Sequence, residues 1–310
     1  MLSDRTKLKV FLRIQSSDTS QDGLLDQLLI AADRVVKAYC RRDLETTLYT
    51  DYLDGQGVRD LVLRQRPVRG IKRTGTLTSG SAVVTGLSAT SDLLAGTPCV
   101  GTGIPGGTTI ASLDSATQVT LSAAATASGS TELHWGLACW VDPQGFYGDG
   151  ANAFASTTEQ TLGTHYALLR DGQDGISRKG LLRRLAGIVL GGLGPTDWPW
   201  GWPTGPLAAR VDPVWPRGTG NVKVTYLAGY GVGASVGGSM PASSTIPAEL
   251  TYCVNAIAGV LRGLTPAGAP INVNALSQHL ADMLGRPQAG EKPEISTVRG
   301  VLSRYIEHTI

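Results

Sequence analysis

Apolar residues follow two rhythms along this chain. Near the start, Leu24, Leu25, Leu28, Leu29, Ala32, Val35, Val36 and Tyr39 recur at steps of three and four, which gathers side chains on one helix face. That spacing predicts an amphipathic helix over 23–41 with Asp22 as its cap. A shorter helix precedes it, capped by Ser3 and carrying Leu8, Phe11 and Leu12. The period then drops to two. Strands are predicted at Glu45–Leu53 and Asp60–Leu63, around a turn at Asp54-Gly55-Gln56-Gly57. Others follow at Thr164–Leu169, Leu181–Ile188 and Asn221–Leu227, the middle one also readable as helix. Helical spacing returns at Ile246-Pro247-Ala248-Glu249, where a proline and an acid in the first turn open a helix reaching Leu264. Two more are predicted, Val273–Leu284 and Glu294–Ile306, the last with Ile295, Val298, Leu302, Tyr305 and Ile306 on one face.

Charge changes this picture. Residues 1–73 carry a net charge of +4 and residues 141–310 a net of +1. Between them, residues 74–140 hold no Lys or Arg and only Asp92, Asp114 and Glu132, a net of −3. The same window has its own texture: β-branched runs at Ala82–Gly86, Thr108–Ala111, Gln118–Ser122 and Thr131–Trp135, separated by Gly, Ser and Thr. Such spacing predicts a small antiparallel sandwich or barrel. The expected fold class is therefore α+β: a helical core from both chain ends, a β-rich middle, and an inserted small all-β domain. The corresponding segments are 1–73, 74–140 and 141–310.

Composition removes several function classes. The 310 residues include 40 Gly and 16 Pro, with only 17% charged residues, which suits a turn-rich β protein. No apolar run has the ~18–20 residues needed to span a bilayer, and Met1–Arg5 lacks a signal-peptide layout, so a soluble protein made in the cytoplasm is expected. Cys40, Cys99, Cys139 and Cys253 form no C-x-x-C pair and have no histidine at metal-ligand spacing, so they read as buried apolar residues. No metal or cofactor is expected. A formal charge of +2 does not by itself imply nucleic-acid binding.

The order of segments, read with particular residues, resembles the tailed-phage head–tail connector (adaptor) family. Leu8–Ile14, then Ser17-Asp18 and Asp22–Leu25, looks like the family's short helix, polar turn and long helix, which closes here on Tyr39-Cys40-Arg41-Arg42. Tyr52–Gly55 through Leu61-Val62-Leu63 to Arg66-Pro67-Val68 is similar to its hairpin. Gly220–Tyr230 followed by Ile246-Pro247 is similar to the approach to its second core helix. The window 74–140, with Gly101–Thr108, resembles β-modules embedded in phage structural proteins. The resemblance implies a virion protein of the neck, a homo-oligomeric ring that is commonly dodecameric. Its implied partners are the portal and a tail-side connector or tail terminator, with genomic DNA passing through unread. It implies no catalysis and no membrane. The departures are the insertion, a Trp-rich segment and a longer C-terminal region.

Other motifs in the chain admit a second reading. Gly101-x-Gly103-x-x-Gly106 has dinucleotide-loop spacing, but Pro105 lies inside it and strand-like residues follow, so it reads as a β-turn. Gly233-Ala234-Ser235-Val236-Gly237 has nucleophile-elbow spacing, yet Gly238-Ser239-Met240-Pro241 cannot promptly start a helix, so it reads as a loop. The basic groups Arg41-Arg42, Arg64/Arg66/Arg69/Lys72/Arg73, Arg178-Lys179 and Arg183-Arg184 read as solvated faces balanced by acids. Trp198, Trp200 and Trp202, in a Gly/Pro frame, form either a docking platform or a loop folded over its own core. The stripe Ile295, Val298, Leu302, Tyr305 and Ile306 needs a surface, either the subunit's own core or a neighbouring ring. The resemblance favours the ring, because the family's C-terminal region commonly reaches toward the portal. An alternative function is a tail or baseplate adhesin that binds carbohydrate through the Trp segment and the β-module.

Overall fold

The computed structural model describes residues 1–142, 154–171, 176–185, 213–240, 244–264 and 293–306. The protein is mixed α and β, of α+β type. It divides into two compact units: Met1–Thr47 with Gly229–Ile310, and Leu48–Ala228. Among the described residues no helix is long and apolar enough to cross a membrane.

The first unit is helical and draws on both ends of the chain. It contains α1 (Arg5–Phe11), α2 (Asp22–Cys40), α3 (Ala248–Leu264) and α4 (Pro293–Leu302), the last running into a 3-10 turn at Ser303–Tyr305. The α2 stripe is buried through Leu25, Leu28, Leu29, Ala32, Val35 and Val36, against Leu250, Val254, Ile257 and Leu261 of α3. Two capping residues differ from expectation. Asp4, not Ser3, caps α1, its carboxylate accepting from Lys7 N–H at 2.8 Å. Ser3 is instead buried and donates to Asn255 Oδ1 at 2.7 Å. Gln21 precedes α2, and Asp22, inside the helix, pairs with Arg5 at 3.0 Å and Lys9 at 2.6 Å. Lys9 also donates to the Asp18 carbonyl at 2.6 Å, which pins the polar turn between α1 and α2. The helix expected over Val273–Leu284 lies outside the described residues.

In the second unit the chain runs through β1 (Thr47–Gly55, whose first residue precedes the unit), β2 (Asp60–Val62), β3 (Val68–Arg69) and β4 (Ile71–Leu77). It continues through β5 (Val83–Val84), β6 (Cys99–Gly101), β7 (Ile110–Ser115), β8 (Gln118–Leu121) and β9 (Gly129–Trp135). There follow β10 (Leu137–Val141), β11 (Glu159–Gln160), β12 (Tyr166–Leu168), β13 (Ile176–Ser177), β14 (Leu181–Arg184) and β15 (Gly218–Ala228). The largest sheet has the order β11-β10-β15-β3-β13, with β1 also on β15. A second sheet, β12-β14-β2, shares its apolar cluster, which includes Leu61, Tyr166, Leu182, Trp215, Val224 and Tyr226. The segment expected at Leu181–Ile188 is a strand over its first four residues, and 186–188 lie outside the described residues.

Two small antiparallel sheets, β4-β9-β6 and β5-β8-β7, enclose a separate cluster of Leu77, Val84, Leu93, Ile110, Val119, Leu133 and Trp135. Their edges do not coincide with the charge boundaries at 74 and 140. Strand β4 already begins at Ile71, opposite Trp135 of β9. After Gly136 the chain crosses into the large sheet as β10, paired along β15. Gly136 has φ +83, and a Cβ there would press on Leu227. Glycine thus lets the chain pass from one sheet to the other.

Candidate partner interface

The C-terminal stripe lies in the chain's own core. Ile295, Val298, Leu302 and Tyr305 are buried in one cluster with α2 and α3, and Ile306 is half-buried. The Tyr305 ring meets Tyr230 edge-on at 5.4 Å, and its hydroxyl donates to Glu249. Burial, and then that carboxylate, push the Tyr305 pKa upward. For Ile295, Val298, Leu302 and Tyr305 the expectation of a neighbouring ring is therefore corrected to the chain's own core. A ten-residue helix with a one-sided stripe is too short to stand alone, and α2 and α3 offer the nearest apolar surface. Trp198, Trp200 and Trp202, the other expected interface residues, lie outside the described residues.

Most basic residues of the expected clusters already have partners. Asp92 lies between Arg73 at 2.6 Å and Arg69 at 3.6 Å. Glu132 takes Lys72 at 2.7 Å. Two of the three acids in the basic-free window are thus neutralised by residues just before it, and Asp114 bonds Ser112, Thr120 and Gln118. Arg183 makes two parallel 2.8 Å bonds to Asp60. Arg42 lies over the Tyr230 ring at 5.8 Å.

What sequence reasoning did not find is a cleft of about 360 Å³ beside the β1–β2 turn. It is lined by Tyr52, Leu53, Val58, Leu61, Val62 and Arg64, with further polar residues. Tyr52, Val58 and Val62 are 39%, 40% and 46% exposed, so three of the larger exposed apolar side chains adjoin one hairpin. Leu61-Val62-Leu63 is apolar on both faces of β2, so no local signal showed that Val62 and its neighbours would stay uncovered. On the helical unit, Val10 and Phe11 of α1 and Tyr252 of α3 are also exposed, with the two rings edge-on at 5.8 Å.

The motifs that suggested chemistry take other shapes. Gly101–Gly106 ends β6 and turns at Gly103, φ +81, toward Thr108, with no helix following. Ser235 is exposed in a turn closed by Gly238 N–H to its carbonyl at 3.1 Å, with neither the strand before nor the helix after that an elbow requires. All four cysteines are buried free thiols. Burial pushes Cys40 up to about 11 and Cys253 to about 12, and raises Cys99 and Cys139 as well. Such thiols are poor nucleophiles at neutral pH. Among the described residues no group of three or more His, Cys, Asp or Glu is placed to hold a metal ion. Compared with protein-family models and with curated proteins, the chain matches none.

Proposed function

We propose that this chain is a structural subunit of a tailed-phage virion, a head–tail connector that forms a ring between portal and tail around the DNA channel. The observation that carries this reading is the helical unit built from both chain ends. Along the chain, α1, a polar turn and α2 of that unit, then β15 of the second unit, and then the Ile246-Pro247 entry to α3 occur in the order on which the resemblance rests. In this reading residues 74–140 are an inserted module, and the work of the protein is assembly, not catalysis. Its contacts would be with copies of itself, the portal, and a tail-side connector or tail terminator. DNA would pass without sequence-specific binding, since a genome that must slide is not held by tight phosphate contacts.

The test is the mass of the particle formed when the purified chain is mixed with portal rings. The expected result is a ring, commonly twelve copies in the resembled family, co-sedimenting with portal. A trimer that ignores portal but binds glycans would replace this reading with the adhesin one.

A further inference from the structure

Strand β7 has no covered face beyond its first residue. Ile110 is buried, but residues 111–117, the rest of β7 and the turn into β8, are exposed at every position. Successive residues of a strand point to opposite sides, so an unbroken exposed run leaves both faces open to water. One face of such a strand ordinarily lies on a core. β7 also ends its sheet, in the order β5-β8-β7. Its exposed part carries Leu113, which is 42% exposed and, among the described residues, the one exposed large apolar side chain of the two small sheets. Next to it, on the opposite face, is Asp114, whose partners Ser112, Thr120 and Gln118 are all uncharged.

The cleft beside the β1–β2 turn has the opposite character. One wall is Tyr52 and Leu53 of β1, and the other is Val58, Val62 and Arg64 in and around β2. Strand β2 ends its sheet, paired with β14 alone, so this wall is not covered by a further described strand. Of the carboxylates at the cleft, Asp60 is held by Arg183 through two 2.8 Å bonds and Asp54 accepts from Gly220 N–H at 2.6 Å. Arg64 is exposed, and its guanidinium reaches the Tyr52 carbonyl at 3.4 Å but no carboxylate among the described residues. The cleft therefore offers an apolar wall and a cation, where the hairpin offers an apolar side chain and an acid.

We infer that the β7–β8 hairpin of one copy docks in the β1–β2 cleft of the next. A strand with two open faces fills a cleft with two walls: Leu113 meets Tyr52 and Leu53, and Asp114 meets Arg64. The occupant is a second copy because each chain carries both halves of the match and leaves both exposed, so neither covers the other within it. Two different patches make a head-to-tail contact, which closes into a ring when the rotation between copies allows it. The inference rests on the ring proposed above and gives the small sheets a part in it, as the arm by which each subunit holds its neighbour.

The test is the self-association of the full chain, with and without portal rings, for Arg64→Asp, Asp114→Arg and the double variant. Both side chains are exposed, so the monomer melt should not move. Each single reversal sets like charges together and should weaken self-association about tenfold or more. The double variant re-forms a reversed pair at every joint and should recover most of that loss. In addition, Arg64→Cys chains mixed with Asp114→Cys chains should cross-link under oxidation, while neither does so alone, because the four native cysteines are buried. Rings of normal mass from both single variants would overturn the inference and leave the connector reading standing. A loss in Arg64→Asp that the double variant does not recover would assign the cleft to another partner, and also overturns it. A wild-type chain that stays monomeric even with portal present would remove both.

Discussion

Asp92 shows how much one side chain can do in a window with no basic residue of its own. Its carboxylate holds Arg69 and Arg73, both largely buried, where the two small sheets adjoin the large one. Asp92→Asn keeps the shape but takes away the charge that both guanidiniums share. Removing one member of a buried ion pair costs about 3 kcal/mol, so an unfolding midpoint lowered by that equivalent is expected in urea titration. Glu45 makes a second residue-scale prediction. Burial alone would raise its carboxyl, but hydrogen bonds from Lys37 and the amino terminus outweigh that and leave its pKa below the ordinary 4.5. A depressed carboxylate stabilises fully above its unfolded pKa of about 4.3, and that contribution is lost as pH falls through the lower folded value. Melting temperature should therefore fall more steeply below pH 5 in the wild type than in Glu45→Gln. Parallel acid limbs for the two proteins would show that this pair does not set the acid response.

The C-terminal helix and the paired small sheets behave as elements with opposite expectations. Deleting 291–310 removes Ile295, Val298, Leu302 and Tyr305 from the helical core. Each fully buried apolar side chain contributes about 1.5–3 kcal/mol, so the sum is comparable to the whole stability of a domain. Circular dichroism of the truncated chain should show a helical unit that has lost its cooperative melt. A truncation that melts like the intact chain would place the stripe outside the core. The small sheets leave and re-enter the chain at one point, because Ile71 and Trp135 are register partners. Replacing 72–134 with a short Gly/Ser linker therefore joins positions already side by side, and their separate apolar cluster goes with them except for Trp135 and Ile71 at the join. The shortened chain should remain soluble with a single cooperative transition for what is left of that unit. Aggregation, or a broad non-cooperative melt, would mean that the small sheets support their neighbours.

At the scale of the whole molecule, the connector reading separates surfaces available for assembly from those that are not. The C-terminal stripe is occupied within the chain, so contacts with neighbours must use other faces. The exposed apolar residues beside the β1–β2 cleft and on α1 and α3 are such faces. In a ring of identical subunits each copy presents both sides of one contact to different neighbours, so one apolar hairpin is used once per interface. The expected effect of Val62→Lys is a weakened ring with an unchanged monomer melt, because Val62 is 46% exposed and contributes little to folding. A ring of normal mass from this variant would remove the hairpin from the contact.

Local periodicity determined most elements of this protein. The apolar repeat of α2 and the alternation of β8, β9 and β15 appear where their spacing put them, because each repeat matches one backbone geometry. The resemblance also rested on segment order, which is a property of the chain. What the linear pattern did not contain is which apolar surface covers which. The stripe of α4 carries the same residues whether it meets α2 and α3 or another subunit, and only packing assigned it to its own core. Strand β10, with all five residues buried, has no alternation to read and lay unnoticed at the edge of a charge boundary. Arg184 looked like one of a solvated pair with Arg183. A one-residue step along β14 put Arg183 against Asp60 and turned Arg184 inward, because alternate residues of a strand face opposite sides and only the neighbouring sheet decides which side is closed to water.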